Sequence, residues 1–276
     1  LTAVVVGGGL LTKSGAIFFI YLMPFSILLF NFKSKHKYKE LLKWLGLVLV
    51  VVAGAMAIQS IMRISPEFKY IASKNHEFTL SFGEWILHPW SYFKTNIQVL
   101  NGFVVGYSTV PFLLLALLAL FIDKKYVKEK LLLVSWSTLP YIAFACFAKL
   151  LYPRYILFML MPLLLLAAYS VAVILSKIKL KAVGMFAILI IFLPMLWKDY
   201  FIITDFAKAS TPYLDRYAYV EGFFSGVGIK EAVKIVKEKS KDQEIYVGVQ
   251  GTFGVMRYSL QNYLHNNPNV EIQAFG

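Results

Sequence analysis

Acidic side chains are scarce where this sequence is most apolar: residues 1–197 hold only Glu40, Glu67, Glu77, Glu84, Asp123 and Glu129. Cysteine occurs once, as Cys146 inside an apolar run, which excludes an intrachain disulfide and suits a small buried side chain. The four histidines, His36, His76, His88 and His265, are too scattered to suggest a metal ligand set, and no Ser-His-Asp arrangement is readable. There is no internal repeat and no low-complexity segment. Charged residues make up 16% of the chain, well below the roughly 25% of soluble domains.

Apolar residues fill that gap. Of 276 residues 59% are hydrophobic, and the mean hydropathy is +0.66. Runs such as Leu45–Ile58 and Tyr155–Leu175 approach or reach the roughly 20 residues needed to cross a hydrocarbon core of about 30 Å. Seven spans are expected, at 1–11 (truncated), 15–32, 42–62, 103–122, 131–148, 155–176 and 182–197, each helical because only a helix satisfies its own backbone in lipid. Pro24, Pro111, Pro140, Pro162 and Pro194 lie inside five of them and predict bends. The fold class that follows is mainly α: a polytopic transmembrane helical bundle over residues 1–198, then a small, truncated α/β domain over 199–276. The chain starts at Leu1 inside an apolar run, without Met, and stops just after a strand-like stretch. It is therefore read as a segment open at both ends.

The net charge of +13 could suggest nucleic acid, but its placement argues against that partner. Residues 198–276 carry nine Lys/Arg and nine Asp/Glu, so the excess lies wholly in the loops between apolar runs. One alternating set of loops holds twelve lysines: Lys33, Lys35, Lys37, Lys39 and Lys43; Lys124, Lys125, Lys128 and Lys130; Lys177, Lys179 and Lys181. The other holds seven cations, among them Lys13, Lys149 and Arg154. The positive-inside tendency makes the first set cytoplasmic and the second, with everything after Trp197, extracytoplasmic. A multi-pass protein of the cell membrane is the expectation.

The long loop 63–102 is rich in aromatics, and Ser81–Trp90 predicts a short helix on the membrane surface. If helical there, Glu84 and His88 would share a face. They could form an accessory acid/base or metal-assisting pair, or simply a solvated polar edge. Beyond Trp197, Ile229, Ala232, Val233 and Val236 form a helical stripe, Glu244–Gln250 reads as a strand, Met256, Leu260 and Leu264 mark a second helix, and Val270–Phe275 a second strand. That αβαβ order predicts parallel strands. The Gly248, Gly251, Gly254 spacing is not the dinucleotide fingerprint and predicts a tight turn.

Two breaks between apolar runs carry the candidate chemistry. Lys13 stands in a gap of only a few residues, where a charge must face the bundle or a polar cavity unless it snorkels to the headgroups as an anchor. Pro153-Arg154-Tyr155 combines a fixed backbone, a bidentate anion-binding fork and an aromatic with a polar tip. Lys149 stands just ahead of it. A lipid phosphate at headgroup level is the natural anion for such groups.

Leu11-Thr12-Lys13-Ser14-Gly15-Ala16, followed by a proline-containing span, resembles a segment of the integral-membrane GT-C glycosyltransferases, nearest the protein O-mannosyltransferase and lipid A aminoarabinose transferase branch. Leu133-Val134-Ser135-Trp136 with Leu139-Pro140, Ala148–Leu157, and His88-Pro89-Trp90-Ser91-Tyr92-Phe93 are similar to later segments of that family. The resemblance covers about residues 1–176. It implies a glycosyltransferase that takes a sugar from a polyprenyl-phosphate donor and passes it to an unidentified acceptor, protein or glycolipid, on the outer face. It further implies that Lys13, Arg154, Tyr155 and, more weakly, Lys149 hold the lipid phosphate, with membrane lipids as the other partners. The family's catalytic carboxylate, a general base, would lie upstream of Leu1. No cofactor is implied, and a divalent cation is left open. The alternative is a non-enzymatic polytopic protein, a lipid-linked glycan transporter or a membrane sensor with an outer domain.

Overall fold

The computed structural model describes residues 1–222, 225–250 and 255–275 and divides into two compact units, 1–195 and 196–276. The first unit is helical throughout. Helix α1 (Thr2–Thr12) lies against α3 (Lys37–Gln59), and the approach is close because both carry glycine where they meet. A Cβ on Gly7 would fall 2.7 Å from the Ile58 Cβ, and one on Gly54 would fall 3.0 Å from the Ala3 Cβ. Small residues allow helix axes to approach this closely in apolar surroundings. Between them in sequence, α2 (Ile17–Leu22) tightens at Pro24 into 3₁₀ turns over Met23–Leu29.

Helices α4 (Phe68–Phe78) and α5 (Phe82–Leu87) occupy the long aromatic loop. Helix α5 exists for a local reason: the Ser81 hydroxyl accepts the Glu84 N–H while the Glu84 carboxylate accepts the Ser81 N–H, a reciprocal cap. Phe82, Ile86, Leu87 and Trp90 remain exposed around it. Helices α6 (Phe93–Ser108) and α7 (Val110–Leu118) follow, then α8 (Val127–Phe147), α9 (Leu157–Lys177) and α10 (Lys181–Thr204). Phe112, Leu115, Ala116 and Ala119 of the α7 segment pack on Leu166 and Ala167 of α9. The buried Ser170 hydroxyl donates to the Leu115 carbonyl at 2.7 Å.

Among the described residues, four helical stretches are long and apolar enough to cross a membrane: Lys37–Ile64, Val127–Phe147, Pro153–Lys177 and Lys181–Thr204. Three expectations change. Ile17–Leu29 is apolar but short of a full crossing, while Thr2–Thr12, the span expected to be truncated, is short as well. The span expected at 103–122 with a bend at Pro111 is instead a helix that starts at Phe93, breaks at Thr109 and turns by 92°. Thr109 has φ 62 and ψ 153, a conformation that suits glycine, and Pro111 two residues on cannot donate into a continued helix. The last helix continues past Trp197 to Thr204, because its apolar pattern runs through Phe201, Ile202 and Ile203.

The second unit contains the short α11 (Tyr213–Arg216), α12 (Ile229–Lys239), β1 (Ile245–Gln250), α13 (Val255–Leu264) and β2 (Val270–Phe275). The strands are parallel, with Ile245 opposite Val270 and Gln250 opposite Phe275, as the αβαβ order predicts. Ile229 and Val233 of α12, Leu260 and Leu264 of α13, and Val249 of β1 form its core. The Gly251–Gly254 turn lies outside the described residues.

Candidate functional site

The first cation is placed by the end of α1. The Thr12 hydroxyl and the Lys13 N–H both donate to the Gly9 carbonyl, at 2.8 and 2.9 Å, and the backbone at Lys13 then turns extended. The Lys13 carbonyl accepts the Ala16 N–H that starts the next helical turn. Four residues, 13–16, therefore separate α1 from α2, and the one charged side chain among them stands at the seam. The Lys13 ammonium lies 5.7 Å from the centre of the Tyr155 ring.

The second cation comes from the turn between α8 and α9. Pro153 opens a 3₁₀ turn, Pro153–Ile156, and both end residues are buried, which pins the turn and leaves Arg154 exposed. The Arg154 guanidinium lies 4.7 Å from the Tyr152 ring centre and 5.7 Å from that of Tyr155. Two cations thus share one tyrosine ring, an arrangement the ring's negative face favours. Burial, followed by repulsion from Arg154, holds the Lys13 ammonium below its ordinary pKa of 10.5. Among the described residues neither cation forms an ion pair.

Behind the cations stands a continuous aromatic wall. Tyr155 stacks on Phe144 with ring centres 5.6 Å apart and planes within 9°. Phe144 meets Phe18 at 5.1 Å, and Phe18 stacks on Phe158 at 5.1 Å. On the other side Tyr152 meets Tyr155 edge-on at 5.7 Å and Phe78 at 6.3 Å. The wall draws on α2, α4, α8 and α9. Chemically, the place offers two unneutralised positive charges at the rim of an apolar surface, which suits an anionic head on a hydrocarbon chain.

Lys149 is used differently. Its ammonium lies 3.1 Å from Glu84 Oε1 and donates to the His76 carbonyl at 3.2 Å. Glu84 is thereby tied twice, into the α5 cap and to Lys149. His88 does not join it on a helical face, because α5 ends at Leu87 and the His88 backbone (φ −139, ψ 62) has already left the helix. The structure therefore brings Lys13, Arg154 and Tyr155 together and pairs Lys149 with Glu84 on a neighbouring loop. Tyr152 and Phe144 were missed by sequence reasoning. Tyr152 carried a signal, as a second tyrosine three residues before Tyr155; Phe144 carried none.

Among the described residues there is no cluster of three His, Cys, Asp or Glu side chains able to hold a metal. Cys146 is half-buried near the end of α8. Comparison with family models, curated proteins and solved structures finds no match to this chain.

Proposed function

We propose that this chain is the membrane-embedded region of a GT-C-type glycosyltransferase, with Lys13 and Arg154 holding the phosphate of a polyprenyl-phosphate sugar donor. The observation that supports the reading most is the convergence of these two cations on Tyr155, beside an aromatic wall suited to an isoprenoid chain. The motifs of residues 1–176 supply the family. The unequal lysine content of alternate loops supplies the orientation, with Lys13, Arg154 and the α/β unit on the extracytoplasmic side. The exposed Phe82, Ile86, Leu87 and Trp90 suit the headgroup level there.

In the proposed reaction the acceptor hydroxyl attacks the sugar's anomeric carbon, and the bond from that carbon to the phosphate oxygen breaks. The electron pair leaves on the polyprenyl phosphate, where negative charge builds, and the two cations stabilise it there. Arg154 is suited to a bidentate grip and Lys13 to a point contact. The hydroxyl proton passes to a carboxylate that the family resemblance puts ahead of Leu1.

The test is sugar transfer from a polyprenyl-phosphate donor by the protein that carries this chain. Lys13→Ala and Arg154→Ala should each cut turnover by about tenfold or more while the protein stays folded. Unchanged turnover in both removes the role given to the cations. Donor binding without transfer favours the non-enzymatic transporter or sensor.

A further inference from the structure

We infer that Asn96 is a positioning residue for the cation pair, fixing the end of α8 on which Tyr155 stacks; the inference rests on the reading of Lys13 and Arg154 as phosphate ligands. Asn96 sits in the first turn of α6 and is 5% exposed. Its side-chain Nδ2 faces three carbonyls at the end of α8: Phe144 at 3.3 Å, Ala145 at 3.2 Å and Ala148 at 2.8 Å. The Phe144 carbonyl already accepts the Ala148 N–H at 3.1 Å, so what the amide adds is a partner for the Ala145 and Ala148 carbonyls, which lie past the last helical hydrogen bond and would be costly to leave bare. An amide group offers two hydrogens, so the three contacts are shared and the amide sits at their focus.

What Asn96 caps is the stem of the site. At Ala148 the backbone leaves the helix (φ −75, ψ 128) and begins the segment that leads to Arg154. Phe144, whose carbonyl the amide touches, lays its ring against Tyr155, and Tyr155 carries both cations. Asn96 is thus two contacts from Tyr155, without touching it. A backbone fastening lies on the same stem: the Leu80 N–H donates to the Phe147 carbonyl and the Lys149 N–H to the Phe78 carbonyl, each at 2.8 Å. Asn96 and that fastening together hold the start of the segment before Pro153.

The test uses the full chain in detergent and compares affinity for farnesyl phosphate with that for farnesol. In the unsubstituted protein the phosphate should bind about tenfold tighter than the alcohol, the scale of one charge-assisted hydrogen bond. Asn96→Leu keeps the volume and removes the donors; it should shrink that preference at least about threefold, by weakening phosphate binding and leaving farnesol binding unchanged. Equal losses for both ligands would show a structural role only and overturn the inference. Asn96→Ala, which also removes the donors but leaves room for water beside the freed carbonyls, should shrink the preference in the same way and decides the matter if Asn96→Leu does not fold. An unchanged preference in the folded variants overturns the inference and spares the phosphate reading. No preference in the unsubstituted protein overturns both.

Discussion

Lys149 and Glu84 are joined across two loops, ammonium to carboxylate at 3.1 Å, so the cation beside the Pro-Arg-Tyr turn is already neutralised. The Ser81 N–H and then the Lys149 ammonium hold the Glu84 carboxyl at about 2, against an ordinary 4.5. A depressed carboxylate contributes stability that is full above the unfolded value and is lost as pH falls through the folded one.

The first prediction concerns that window. The detergent-solubilised protein should lose thermal stability between pH 4.5 and pH 2, and Glu84→Gln should lose less of it over the same interval. Melting curves at stepped pH measure this. Parallel slopes for the two proteins would show that Glu84 does not carry the effect.

Lys13 and Arg154 repel one another through the space they share. Arg154→Gln should therefore raise the Lys13 pKa toward 10.5 without fully restoring it, because burial, the larger cause, remains. The pH dependence of Lys13 acylation, followed by peptide mass spectrometry, reports the shift. A fall or no change would mean that the two charges do not sense each other.

At the other end of α8, Lys130 is 4% exposed and its ammonium lies 2.9 Å from Asp123 Oδ1. Asp123 Oδ2 accepts the Tyr169 hydroxyl at 2.8 Å, and the ammonium sits 4.6 Å from the Tyr169 ring centre. Removing one partner of a buried pair leaves an uncompensated charge, whereas replacing both does not. Asp123→Leu should lower the melting temperature more than the double variant Asp123→Leu with Lys130→Met. The reverse order would place the stabilising role outside the pair.

Thr109 stands in a backbone conformation that glycine adopts freely. Both variants remove the buried, unpartnered Thr109 hydroxyl, so the strain reads out as Thr109→Gly being about 1 kcal/mol more stable than Thr109→Ala, which keeps the Cβ. Denaturant unfolding of the two variants checks this. Equal effects would show that the 92° turn is unstrained there.

Much of this architecture could be read from local patterns. The apolar runs around Pro140 and Pro162 became α8 and α9 nearly where expected, and the Ile229, Val233 and Leu260, Leu264 stripes became the helices of the α/β unit. The misreadings share a cause. Hydropathy marks where a chain can be buried but not how far it turns, so Pro111 signalled a bend in 103–122 but not a 92° break at Thr109 or a start at Phe93. The pairing of Lys149 was equally hidden, because its partner Glu84 is 65 positions away. Asn96 gave no sign at all, since its three acceptors lie 48 to 52 residues downstream.

The tight seat of α1 on α3 sets the mutational tolerance of the site from a distance. Six residues separate Gly7 from Lys13, about 9 Å along a helix. A methyl group at Gly7 would meet Ile58 at 2.7 Å, so either Ile58 yields or α1 moves, and with α1 moves the root of Lys13. A neutral change, buried and remote from any charge, would then misplace a charge. The positions least forgiving of variation in this protein include ones whose chemistry is only the lack of a side chain.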